Sequence, residues 1–370
     1  MKQKILIFSS SSMSLLNFRG HLIKTLVFND YEVTAAAPRD NTYDQVEKWC
    51  KESGVELHPL VIKNTGKNPF QDLFTLINMI LLIIKIRPNI LFAYGIKPVI
   101  YSSIGGYITK VPSIFSMITG LGNCFINENE ASFFSKILNF FYKFALSCNK
   151  KVIFQNEDDA SLFENKGMVN KNQIVIVNGS GVDLSHFQYR ELTSSTTRFL
   201  FIGRLIKQKG IVEYIKACKV LKKKYPHITF SVVGERYSNP SMLNQEEFEN
   251  LKSLSDIEYL GKMEDVRHIL NKSSVFVLPS YREGTSRATL EAMATGLPIV
   301  TTNAPGCWQT VQEGVNGFIV PTKDTLALIE AMEKFILNPE IISGMGKESR
   351  KIVEQKYDVH AVNKQILDIL

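Results

Sequence analysis

The chain has 370 residues, enough for two ordinary domains. Hydrophobic residues make up 45% and charged residues 21%, a globular balance that excludes a disordered or fibrous chain. The formal charge is +7 with no long block of one sign, which argues against nucleic acid as a partner and suits phosphorylated substrates or an anionic membrane surface.

The N-terminus, MKQKILIFSSSS, reads as a first strand over residues 4–8 followed by a serine loop, not as a signal peptide. A helix is expected over 17–29, then strands over 32–37 and 55–61. Residues 73–86 form an apolar helix ended by Arg87-Pro88, with an apolar core shorter than the ~20 residues that span a bilayer. Strands follow at 90–93 and 113–117, with loops at Tyr94-Gly95-Ile96-Lys97 and Thr119-Gly120-Leu121-Gly122. Residues 132–151 combine Phe, Leu and Ile with Lys136, Lys143, Lys150 and Lys151. A basic amphipathic helix suits a membrane surface, and a helix buried on a sheet gives a similar stripe. Strands at 151–154 and 174–177 close this half.

The pattern restarts after the Ser- and Thr-rich stretch 190–198. Strands are expected at 199–202, 229–233, 257–260, 275–278, 299–301 and 317–320, with helices at 211–225, 245–254 and 266–271. Short apolar strands alternating with helices predict two α/β halves with parallel sheets. In such sheets ligands bind at the strand C-termini. The five cysteines are widely spaced, odd in number and without a C-x-x-C pair, which fits a reducing compartment and not a zinc site.

Two stretches concentrate chemistry. Residues 280–301, SYREGTSRATLEAMATGLPIVT, give a polar loop, a short helix of small residues and a C-terminal Gly296. A strand, a loop and a helix N-terminus make a natural anion site. Glu283 and Glu291 bracket it. Glu291 sits among apolar neighbours, where a carboxylate needs a hydrogen-bonding partner. A sugar hydroxyl pair would serve, and so would Arg287 four residues back. Thr285 and Ser286 could bind a phosphate or sugar, or cap the helix. Earlier, Gly203 would allow close backbone approach, and Arg204 and Lys209 place two cations after a strand. Arg offers a fork for two oxygens and Lys a point charge. A solvated basic loop would read alike.

Glu283 and Glu291 in this context resemble the E-x7-E motif of the retaining glycosyltransferases of family 4. The segment from Gly203 to Gly210 resembles that family's G-R-x-x-x-x-K-G, and Asn316-Gly317-Phe318 its N-G-F turn. The resemblance is strongest over residues 199–325 and closest to bacterial enzymes that add hexosamines to lipid-linked oligosaccharides. It implies a GT-B fold: two Rossmann-like β/α/β domains with an interdomain cleft. The acceptor-side domain would be residues 1–185 and the nucleotide-sugar domain 186–350. A C-terminal helix within 351–370 would pack back on the first domain. The implied reaction moves an N-acetylhexosamine from a UDP-sugar to an undecaprenyl-diphosphate-linked sugar in capsule, O-antigen or glycan assembly. It would run on the inner face of the cell membrane.

By resemblance Arg204 and Lys209 hold the donor diphosphate, Gly203, Gly284, Thr285 and Ser286 line the donor site, Glu291 binds ribose hydroxyls, and Glu283 lies near the transferred sugar. The implied mechanism is front-side attack through an oxocarbenium-like state. No D-x-D motif is present, so no metal or other cofactor is implied. Gly234-Glu235-Arg236 and Tyr259–Met263 are weaker nucleotide-side candidates. The first domain departs from the family, with Ser9–Ser12 where paired glycines are common and no histidine after the fourth strand. Asn17, Arg19, Lys97 and Thr119 are its acceptor-side candidates. A soluble or different lipid acceptor, or a binding protein without catalysis, are the alternatives.

Overall fold

The structure is a computed structural model and describes residues 2–62, 69–120, 133–191, 197–236 and 241–370. It divides into two compact units, Met1–Ser180 with Val362–Leu370, and Gly181–Ala361.

In the first unit β1 (Lys4–Phe8), α1 (Ser12–Phe28), β2 (Glu32–Pro38), α2 (Tyr43–Glu52), β3 (Glu56–Leu60), α3 (Pro69–Ile86), β4 (Ile90–Tyr94), α4 (Ile96–Ile108), β5 (Ser113–Ile118), α5 (Phe133–Ser147), β6 (Lys151–Phe154), α6 (Glu157–Asn165) and β7 (Ile174–Ile176) alternate. The strands form one parallel sheet, ordered β3-β2-β1-β4-β5-β6-β7. β1 shows why this sequence makes a two-sided sheet. Ile5 and Ile7 point into a core with α1 and α2, and Leu6 and Phe8 into a core with α3 to α6. All four are fully buried, so the strand reads as an unbroken apolar run.

The second unit repeats the plan with β8 (Arg198–Ile202), α7 (Ile211–Lys224), β9 (Thr229–Val233), α8 (Gln245–Ser253), β10 (Glu258–Tyr259), α9 (Arg267–Lys272), β11 (Val275–Leu278), α10 (Arg287–Ala294), β12 (Ile299–Thr302), β13 (Gly317–Val320), α11 (Thr325–Leu337) and α12 (Ile341–Lys356). Its parallel sheet runs β10-β9-β8-β11-β12-β13. The last helix, α13 (Val359–Ile369), places Val362 and Ile366 in the first unit's core beside α1 and α2. In both sheets the strand order reverses once, between β1 and β4 and between β8 and β11. Ligands of open α/β sheets bind at such switch points, beyond the strand C-termini.

Three expectations change. The second domain does not end at residue 350, because α12 runs through it and buries Ile352 and Val353 in the second core. The first unit's unbroken stretch ends at Ser180, not 185. The first helix starts at Ser12, not 17, because the Asp40 carboxylate accepts from the Ser12 N–H at 3.1 Å and from its hydroxyl, fixing the helix start from outside. Helices α2, α4, α6, α11 and α12 are additions to the sequence expectation. In α4, Pro98 sits in the first turn, where its missing N–H costs nothing. Gly106 faces Leu91 and Ile114, where a side chain would clash. The hydrophobic stretch 73–86 extends to the 18-residue α3, the one helix among the described residues long and apolar enough to cross a membrane. Length therefore does not rule out a span, while Met79 and Ile83 on one side of the helix are buried in the first unit's core.

Candidate active site

The site grows out of the switch point of the second sheet. β8 and β11 lie side by side and parallel. The loop after β8 carries Gly203, Arg204 and Lys209, and the loop after β11 carries Glu283 to Ser286. Both therefore emerge at one edge of the sheet. They are tied together by backbone. The Tyr281 N–H donates to the Gln208 carbonyl at 2.8 Å, and the Ser280 hydroxyl donates to the same oxygen at 3.0 Å. Gly210 takes φ of +72°, and a side chain there would overlap the Pro279 carbonyl. On the far side the Glu283 N–H donates to the Pro305 carbonyl at 2.9 Å, and Gly306 (φ +74°) packs with no room for a Cβ against the Glu283 carbonyl. Glycine is required at both positions because left-handed backbone and close approach coincide.

Between these loops Lys209 Nζ pairs with Glu283 Oε1. Both side chains are largely buried, 17% and 11% exposed. Two residues expected in one site from separate motifs are thus in direct contact. Burial pushes the neighbouring Cys307 thiol up to about 12, with the Glu283 charge adding to it, so this cysteine stays a neutral thiol.

α10 opens at Ser286, whose hydroxyl oxygen accepts from the Thr289 N–H at 3.3 Å. The Thr285 hydroxyl donates to the Gly284 carbonyl at 2.8 Å. Ser286 therefore caps the helix. Gly296 ends the helix with φ of +88°. Glu291 lies one turn in and is 7% exposed. Burial raises its carboxyl above the ordinary range, and Arg287 pulls the other way, its Nε donating to Oε1 at 2.6 Å. The Arg287 pairing weighed as an alternative to sugar binding is therefore present.

The two weaker nucleotide-side segments also meet here. The Gly234 N–H donates to the Gly261 carbonyl at 2.8 Å, the Tyr259 hydroxyl to the Gly234 carbonyl at 3.0 Å, and the Leu205 N–H to the Glu235 carbonyl at 3.1 Å. The loop after β9 thus joins the one that follows β8. A hollow of about 360 Å³ lined by His186, Asp265, Arg267 and Thr295 sits at the other end of α10 and contains none of these residues.

Sequence reasoning missed Tyr281 and Glu213. The Tyr281 hydroxyl donates to Glu213 Oε1 at 2.8 Å, bracing the Glu283 loop against α7. The 68-residue separation leaves no local signal.

In the first unit the switch-point loops are Ser9–Ser12 and Tyr94–Lys97. Asp40 fills the N-terminal end of α1, and hydrogen bonds from Ser12 and Thr42 outweigh its burial and hold its carboxyl below the usual range. The Asp40 carboxylate also accepts from the Thr42 N–H at 3.1 Å, closing an Asx turn. The acceptor-side candidates differ in exposure and partners. Asn17 is exposed on α1, Thr119 is half-buried after β5, and Lys97 pairs with Asp72 at 2.7 Å. Arg19 is 2% exposed. Its guanidinium lies over the Tyr94 ring and donates to the Ser180 hydroxyl at 3.0 Å. Burial lowers its pKa to about 10, with Tyr94 opposing. Arg19 therefore braces its own unit.

Comparison with known proteins agrees with this architecture. Residues 186–357 match the family model "Glycosyl transferases group 1". The chain is 24% identical over 375 residues to the N,N'-diacetylbacillosaminyl-diphospho-undecaprenol alpha-1,3-N-acetylgalactosaminyltransferase of Campylobacter jejuni, covering 98% of this chain and 96% of that protein. It is 25% identical to the UDP-Gal:alpha-D-GlcNAc-diphosphoundecaprenol alpha-1,3-galactosyltransferase of Escherichia coli, covering 78% and 76%. A solved structure of Anabaena HepE in complex with UDP and glucose has the same fold, with a TM-score of 0.78 at 16% identity over 99% of this chain and 98% of that one. Two Rossmann-like units with this switch-point site give the chain the GT-B fold, and its second unit matches the group 1 glycosyltransferases over residues 186–357, which makes the protein an enzyme of glycosyltransferase type.

Proposed function

We propose that the protein is a retaining glycosyltransferase that moves an N-acetylhexosamine from a UDP-sugar to an undecaprenyl-diphosphate-linked sugar, at the cytoplasmic face of the membrane, in surface polysaccharide or glycan assembly. The observation that carries the donor half is the junction of the loops after β8 and β11, where Lys209 meets Glu283 beside the start of α10. Cations and a helix N-terminus at one sheet edge suit a diphosphate leaving group. The acceptor half is supported by end-to-end similarity to a transferase named for an undecaprenol-diphosphate substrate.

In this reading Arg204 and Lys209 take the growing negative charge of the departing UDP, and no metal ion is invoked. Glu291 exchanges its Arg287 contact for ribose hydroxyls. Glu283 holds Lys209 in place and faces the transferred sugar. The acceptor hydroxyl attacks the face the diphosphate leaves, and that diphosphate takes its proton. Anomeric configuration is then retained without an enzyme-bound sugar.

Arg204→Ala is expected to weaken UDP binding about tenfold, the worth of one charge-assisted hydrogen bond. Calorimetric titration of UDP into both proteins checks it. Equal affinities would remove Arg204 from the diphosphate site.

A further inference from the structure

The surface of α3 is two-faced. Thr75, Met79 and Ile83 lie on its buried side, and the Thr75 hydroxyl donates to the Val61 carbonyl at 2.8 Å. Phe70, Leu73, Phe74, Ile77, Leu81 and Ile84 lie opposite and are 45–83% exposed. Their spacing of three and four residues keeps them in one stripe along the helix. Such a run of large exposed apolar side chains marks an interaction surface.

The stripe continues onto neighbouring helices. α4 packs against both α3 and α5. Tyr107 and Ile108 at the end of α4, and Phe140, Phe141 and Phe144 on α5, are exposed too. Tyr107 and Phe144 meet edge to face at 6.0 Å. All three helices cover the same face of the first sheet, the face that holds Leu6 and Phe8.

Charge selects the occupant. Residues 69–156 carry eight Lys and Arg against three Asp and Glu, which is +5 of the chain's formal +7. Lys85, Arg87, Lys110, Lys143 and Lys150 are exposed. Asp72, the one carboxylate on α3, is paired with Lys97. A second copy of the chain would bring two such basic stretches together. An anionic lipid surface would neutralise them while accepting the apolar stripe.

We propose that the exposed face of α3, extended by the aromatic side chains of α4 and α5, docks in the plane of an anionic bilayer. The helix lies on the membrane and does not cross it, because crossing would pull Met79 and Ile83 out of the first unit's core. The inference rests on the lipid-acceptor reading above in purpose, naming the surface that brings the enzyme to its lipid, while its evidence is this face alone.

The test is flotation of the full-length protein with vesicles of phosphatidylglycerol and phosphatidylcholine, and with phosphatidylcholine alone, at low and high ionic strength. Wild type should float with the anionic vesicles, less so at high salt. A triple variant, Leu73→Ser, Phe74→Ser and Leu81→Ser, should partition about tenfold less. The pair Lys110→Glu and Lys143→Glu should also bind anionic vesicles weakly and lose its salt dependence. The control pair Leu326→Ser and Leu337→Ser, exposed apolar positions of the second unit, should float like wild type. Circular dichroism melts and UDP titration are run on every variant, so a fold defect shows itself. The proposal is overturned if wild type stays unbound, if the triple variant floats like wild type, or if wild type is a dimer that the triple variant renders monomeric. A wild type that floats but binds no UDP would sink the donor-site reading and leave this surface standing.

Discussion

Lys209→Ala is expected to lower kcat/KM for the sugar donor about 10²–10³-fold, the usual effect of removing one preorganised charge from a developing anion. The same change should cost about 2–3 kcal/mol of stability, because it removes the buried cation that pairs with the Glu283 carboxylate, itself 11% exposed. The two effects separate in a double variant. Lys209→Ala with Glu283→Gln removes both charges of the pair, so most of the stability should return while activity stays low. Chemical denaturation and steady-state kinetics on the three proteins check this. If activity returned together with stability, the pair would be a structural clamp and Lys209 would have no part in the chemistry.

Glu291→Gln is expected to lower kcat/KM about 10–10²-fold, through loss of charge-assisted hydrogen bonds to the donor. Its stability effect runs the opposite way. The Glu291 pKa is raised by burial. The stability tied to that shift is present below the ordinary carboxylate range and is lost as pH rises through the raised value. At neutral pH the ionised, buried carboxylate is therefore a net burden. Glutamine carries no charge, and its carbonyl oxygen can still accept from Arg287. The variant should melt at or above the wild-type temperature at pH 7 and lose that advantage as pH is lowered. A lower melting temperature at pH 7 with unchanged donor KM would mark Glu291 as a fold residue held by Arg287. Paired with the Lys209 result, this gives two site carboxylates with opposite stability signatures, one that needs its cation and one that burial strains.

Much of this was legible in the sequence because the signals are local. β8, β9, β11 and β13 are apolar runs bounded by polar loops, and their glycine and cation segments follow directly. The i,i+4 relation of Arg287 and Glu291 was equally visible. What sequence hid was tertiary. Lys209 and Glu283 are 74 residues apart, and only the adjacency of β8 and β11 brings them together. Ser9–Ser12 looked like a plain loop because the group that starts α1 there, Asp40, comes from the far end of β2. α4 stayed hidden behind Pro98, Gly105 and Gly106, residues that usually break helices but here permit a first turn and close packing. α3 was recognised as apolar, but composition does not say which side the core covers. Arg19 was expected to face the acceptor. A long cationic side chain on a helix reads as exposed, and burial over Tyr94 is a property of packing alone.

The most direct test of the central claim is turnover by the purified protein in detergent. A panel of UDP-, GDP- and dTDP-sugars is offered with and without polyprenyl-diphosphate-linked sugar acceptors, and released nucleotide is measured. Release of UDP from one UDP-N-acetylhexosamine, only when the lipid-linked acceptor is present, is the result predicted here. Release of GDP or dTDP instead, or no release from any pair by a protein that still binds UDP, would contradict it.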